Sequence, residues 1–150
     1  MKNLMIRTYR NIRNIDIMLV SIGVVYLWFG ILKFFPSMSP AEELAKNTIN
    51  KLTFELIPSQ ISFYTLAIWE TSVGIMLILG IFKRYALFLA LVHMFFTFTP
   101  LILFPEISFK YLPFSFTIIG QYILKNIIIV SAILVLLKRY GKNSLQRVNS

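Results

Sequence analysis

The chain has 150 residues, 57% hydrophobic and only 14% charged, with a mean hydropathy of +0.74 and a formal net charge of +9. Water-soluble domains carry about 25% charged residues, so these proportions exclude both an ordinary soluble globule and a disordered tail. Cysteine is absent and histidine occurs once, which excludes a disulfide framework, thiol catalysis, cysteine-held zinc or clusters, and bis-histidine haem ligation within the chain.

The N-terminus carries Lys2, Arg7, Arg10 and Arg13, then an apolar stretch from about Ile15 to Phe35, closed by Pro36. A spanning helix needs about 20 apolar residues. This stretch is too long for a signal-peptide core, and no small-x-small cleavage pattern follows it, so it reads as an uncleaved first span. Asp16 is placed as a helix N-cap or an interfacial ion pair. Next, Ser39-Pro40-Ala41-Glu42 has the form of a capping box with proline at the first helical position. Leu44, Thr48, Leu52 and Leu56 recur every four residues until Pro58. This predicts an amphipathic helix over about residues 40–56, lying on the membrane surface or over the mouth of a bundle.

Further spans are expected over about 60–82, 85–104 and 117–137. Only Lys83 and Arg84 separate the second from the third, which dictates an antiparallel hairpin. Lipid offers backbone groups no partner, so the spans are helices, and the alternating ten-residue segments of a membrane barrel are missing. The loop from Pro105 to Phe116 is rich in Phe and Tyr, the residues of an interfacial belt. No repeat or linker divides the chain. The expected fold is one all-α membrane domain, residues 1–150: a four-helix bundle with an extra amphipathic helix in its first outer loop.

The basic residues sit at the ends of apolar runs, not interleaved with aromatics on a polar face, so they mark a membrane protein and not a nucleic-acid binder. One side holds Lys2, Arg7, Arg10, Arg13, Lys83, Arg84, Lys138, Arg139, Lys142 and Arg147. The other holds Lys46, Lys51 and Lys110 with Glu42, Glu43, Glu55 and Glu106. The positive-inside rule then places both termini in the cytoplasm.

Small and polar residues in a span face other helices, and large apolar ones face lipid. The expected inward stripes are Gly23, Tyr26, Gly30 and Lys33; Ala67, Glu70 and Gly74; Ala86, Ala90, His93, Thr97 and Pro100; and Gln121, Lys125, Ile128 and Ala132. Gly30 and Gly74 are read as close-packing positions. Charges inside a membrane are costly and normally turn inward to find a partner. At 1.5 Å per residue, Glu70, His93 and Lys125 lie about 12–16 Å below the outer ends of their helices, nearly at one level. Lys33 lies shallower, where it can snorkel. Gln121 and Asn126 add polar capacity beside Lys125. Two readings follow: a Glu70–Lys125 ion pair that sets helix register, with His93 nearby, or a polar pocket in which Glu70 and His93 move protons.

The runs Trp28-Phe29-Gly30-Ile31-Leu32-Lys33-Phe34, Glu70-Thr71-Ser72-Val73-Gly74 and Gly120-Gln121-Tyr122-Ile123-Leu124-Lys125-Asn126 resemble the DoxX superfamily of small four-helix membrane proteins, in particular its DoxX-like and YkgB-like branches. The resemblance spans about residues 13–138. It implies a four-helix bundle with both ends cytoplasmic, in a bacterial inner membrane. Members of that superfamily include a small subunit linked to thiosulfate:quinone oxidoreduction and proteins associated with oxidative stress. It carries over Gly30, Lys33, Glu70, Gly74 and Lys125 as site-forming positions. The outer insertion at 37–58 is longer than in the simplest members.

These expectations lead to a quinone-associated redox accessory subunit. Lys33, Lys125, Gln121 and Asn126 would bind the quinone oxygens, Trp28 and Trp69 would pack its ring, and Glu70 and His93 would serve as the catalytic proton carriers. No haem, flavin or metal is expected, and a partner subunit or a homo-oligomer would complete the assembly within the lipid bilayer. The alternatives are a non-catalytic scaffold subunit and a small proton-coupled transporter.

Overall fold

A computed structural model describes residues 16–35, 37–39, 42–111 and 113–148. The basic residues Lys2, Arg7, Arg10 and Arg13, the chain-stopping Pro36, and Pro40 and Ala41 of the expected capping box lie outside the described residues, as do the side chains of Lys142 and Arg147.

Helix α1 (Ile17–Leu32) begins where the Asp16 carboxylate accepts the Leu19 N–H at 3.4 Å. It has 16 residues, about 24 Å, and so ends earlier than the expected Phe35. Helix α2 (Glu42–Leu52) is the amphipathic element; its start is held by Glu42, which accepts the Ser37 N–H and pairs with Lys46. Helix α3 (Ser59–Leu79) follows Pro58. It closes at Gly80, whose φ of +67° lets the Ile81 N–H reach back to the Met76 carbonyl, a left-handed cap that suits glycine. Helix α4 (Lys83–Phe98) runs back antiparallel and is extended by α5 (Pro100–Leu103).

The second loop is more ordered than its composition suggests. A single turn, α6 (Pro105–Ser108), leads into a small antiparallel hairpin, β1 (Phe109–Tyr111) with β2 (Ser115–Phe116). The rings of Phe109 and Phe116 stack at 4.7 Å. Helix α7 (Ile118–Lys125) is capped by the Thr117 hydroxyl on the Gly120 N–H, and α8 (Ile127–Val148) continues it after a tightened turn at Asn126.

Three apolar helices, Ser59–Leu79, Lys83–Leu103 and Ile118–Gly141, are long enough to cross a membrane, and Ile17–Leu32 is a shorter fourth. All four share one core: Leu19, Ile22 and Tyr26 meet Val73 and Leu77, Ala86, Leu87, Ala90 and Met94, and Ile133 and Leu136. The molecule is an all-α membrane bundle. Helix α1 packs closely on α3 through glycine: a β-carbon on Gly74 would fall 2.5 Å from the Leu27 amide nitrogen. The basic end is tied by Asp16, which accepts from Arg139 Nη1 and from the Tyr140 hydroxyl, both at 2.9 Å. Asp16 is therefore cap and ion-pair partner at once.

Candidate functional site

The inward stripes expected for α1 and α3 are buried as a set: Gly23, Tyr26, Gly30 and Lys33 face Ala67, Glu70 and Gly74. Their register places Gly30 against Thr71 and so brings Lys33 to Glu70. Lys33 Nζ lies 2.5 Å from Glu70 Oε2 and 3.4 Å from the Phe29 carbonyl, and both side chains of the pair are more than nine-tenths buried. The other carboxylate oxygen, Oε1, accepts His93 Nε2 at 2.9 Å from α4. His93 Nδ1 then lies 3.2 Å from the Tyr26 hydroxyl, which donates to the Ala90 carbonyl at 2.8 Å. Four side chains from three helices thus form one contiguous polar row: Lys33, Glu70, His93 and Tyr26.

This arrangement is chemically closed around the carboxylate. Each oxygen of Glu70 faces a nitrogen donor, the condition for keeping a carboxylate out of water. The ring proton on Nε2 points to Glu70. At Nδ1 the Tyr26 oxygen offers a lone pair, because its own proton goes to Ala90. A second ring proton would therefore find its acceptor in place.

On the loop side of Lys33 the structure opens. Glu70 lies eleven residues into α3, so about 16 Å of that helix extends past the end of α1. Helix α2 folds over this extension, burying Leu44 and Thr48 and setting Lys46 over the Phe63 ring at 5.0 Å. Between them is a recess of about 120 Å³ lined by Lys33, Glu42, Lys46, Gln60, Phe63 and Tyr64. Lys51 ties α2 across to the Leu103 carbonyl at 3.0 Å. The amphipathic helix is thus a roof over the bundle.

The remaining expected positions do not join this site. Lys125 does not pair with Glu70: it is exposed, with its ammonium 5.4 Å from the Tyr122 ring centroid. Gln121 is exposed too, and Asn126 sits half-buried at the helix break. The reason is the position of Gly120, buried beneath the Ser108 carbonyl so tightly that a β-carbon there would run into it. Lys125, five residues on, points about 140° away from that inward face. Trp28 is 65% exposed. Trp69 is half-buried against the core, with its indole Nε1 enclosed and lacking a hydrogen-bond partner. Tyr26 was legible only as a stripe residue, although its spacing of seven from Lys33 puts both on one helix face. The recess residues Glu42, Lys46, Gln60 and Tyr64 carry no local signal, because α2 and α3 come together only in the fold.

The fold defines a small multi-pass membrane bundle. The DoxX family model matches residues 17–104, more than half of the chain, and the protein is a member of the DoxX family. The match covers Tyr26, Lys33, Glu70, His93 and the whole roofing insertion, and ends before the fourth span. No curated protein and no solved structure matches the chain.

Proposed function

We propose that this protein is a quinone-associated accessory subunit of a redox complex in a bacterial cytoplasmic membrane, with both termini on the cytoplasmic side. The observation that supports it is the double position of Lys33. An ammonium has three N–H donors. Glu70 and the Phe29 carbonyl engage two of them, which leaves one for an oxygen in the recess that Lys33 lines.

The donor set suits a carbonyl oxygen, and the dimensions limit how much of the ligand enters. A recess of about 120 Å³ is below the about 300–1,000 Å³ of pockets that enclose drug-sized ligands. It accepts the carbonyl edge of a ring, leaving the body and tail beside exposed Tyr64, Ile61 and Ile68. Bound there, a quinone supplies the electron and proton capacity that the side chains lack. Lys33 binds and orients the carbonyl oxygen. Glu70 holds the Lys33 ammonium in place. His93 takes a proton at Nδ1 against Tyr26 and presents one at Nε2 to Glu70. Electrons come from a partner subunit.

The test replaces Glu70 with Gln, and separately Lys33 with Met, and measures quinone retained through purification together with quinol-dependent electron flow in membranes. Both quantities should fall in both variants. Unchanged values in variants that still fold would reduce the cluster to a lock on helix register, as in a scaffold subunit.

A further inference from the structure

The fourth span carries a charge on its outer surface. Lys125 lies about 10 Å along the helix from Ile118 and about 22 Å from Tyr140, well inside the apolar stretch Ile118–Gly141. Its surroundings on that face are apolar and open: Ile118 is 73%, Tyr122 65% and Ile128 70% exposed. Gln121, one turn earlier, is also exposed, its amide reaching the Phe116 carbonyl only at 3.5 Å. Directly after Lys125 the helix is interrupted, the Asn126 N–H turning to the Ile123 carbonyl at 3.1 Å.

Among the described residues no carboxylate pairs with Lys125. The chain has six acidic residues, all among the described ones. Asp16 is held by Arg139 and Tyr140, Glu42 by Lys46, and Glu70 by Lys33 and His93. Glu43, Glu55 and Glu106 are exposed outside the spans. A second copy is no better: a two-fold contact through this face sets Lys125 against Lys125, and the intramembrane carboxylate of the copy is buried. Intramembrane charges normally find an opposite charge or a polar cavity.

We infer that the 118–128 face docks a transmembrane helix of a different membrane protein, one carrying a carboxylate at the depth of Lys125. Gln121 adds a second polar contact one turn away, and Ile118, Tyr122 and Ile128 supply the apolar surround. This surface lies apart from the recess, so the proposal stands without the quinone reading.

The test uses the full chain in phosphatidylcholine vesicles with a labelled leucine-rich peptide of about 20 residues, bearing one Glu about 10 Å from one end. A peptide with Gln at the same place is the control, and association is read by energy transfer. The Glu peptide should associate about tenfold more tightly than the Gln peptide, and Lys125→Met should abolish that preference while leaving association of the Gln peptide unchanged. Equal association of the two peptides overturns the proposal in favour of an ammonium served by lipid phosphates beside Tyr122. A preference that survives Lys125→Met overturns it in favour of another site. The chain has no cysteine, so Ile128→Cys tests self-contact: no disulfide-linked dimer is expected, and efficient dimer formation overturns the proposal in favour of a second copy.

Discussion

Gly30 and Thr71 approach so closely that a β-carbon on residue 30 would fall 2.6 Å from both the Thr71 amide nitrogen and its hydroxyl oxygen. The amide nitrogen is backbone and cannot swing aside, even if the hydroxyl rotates away. Because this contact sets the register of α1 on α3, it also sets the distance between Lys33 and Glu70. Gly30→Ala should destabilise the bundle by about 1–3 kcal/mol, the range for overpacking, and reduce any activity that depends on the ion pair. Gly141→Ala, where nothing lies within 4 Å of the added carbon, is the control. Unfolding in detergent measures both, and equal stabilities would remove the register argument.

The Lys33–Glu70 pair should be strongly non-additive. Removing Glu70 leaves the Lys33 ammonium buried without a carboxylate, and removing Lys33 leaves Glu70 with His93 alone; breaking a buried pair in this way costs up to about 3–5 kcal/mol in proteins. Replacing both with apolar residues of similar volume removes the desolvation cost along with the attraction. Lys33→Met and Glu70→Met should each destabilise more than the double variant does. Additive effects in a double-mutant cycle would show that the two groups are not coupled.

At the basic end, the carboxyl of Asp16 answers to opposing forces. Burial pushes its pKa up, but the Tyr140 hydroxyl, the Leu19 N–H and the Arg139 guanidinium together hold it below its ordinary value of 3.8. A carboxyl depressed in the folded state contributes stability above the unfolded value and loses it as pH falls through the folded one. Wild-type stability should therefore decline below pH 3.8 more steeply than that of Asp16→Asn. Thermal unfolding between about pH 5 and pH 2 reads the difference. Parallel curves would mean the latch contributes nothing.

Gly120 should be the least replaceable glycine. Any side chain there meets the Ser108 carbonyl and the Phe116 ring, so Gly120→Ala must displace the 105–117 loop. The expected result is protease cleavage within that loop at concentrations that leave the native protein intact.

The inward faces of the first three spans were legible because small and polar residues recur there at helical spacing. Tyr26 and Lys33, Ala67 and Glu70, and Ala90 and His93 follow that rule. His93 was expected beside Glu70 and is there, but the lysine partner of Glu70 was not legible. With α1 taken to run to Phe35, Lys33 reads as a shallow, snorkelling residue; the helix ends at Leu32 and is set low against α3, which carries Lys33 down to the carboxylate. In the fourth span the same polar-inward rule misplaces Lys125 and Gln121. There the inward direction comes from Gly120 under the Ser108 carbonyl, a contact made by the hairpin loop and absent from the helix's own pattern.

The short first helix also shapes the lipid around the protein. Its 16 residues give about 24 Å of helix, whereas the 21-residue apolar helices Ser59–Leu79 and Lys83–Leu103 are near the about 30 Å of an average hydrocarbon layer. Acyl chains bordering the exposed Val24, Trp28 and Ile31 must compress or tilt to match, and those on the opposite flank need not. Hydrophobic mismatch of this kind costs fractions of a kcal/mol for each ångström. The molecule therefore has a thin flank and a thick flank, and a preference for thinner bilayers confined to one of them.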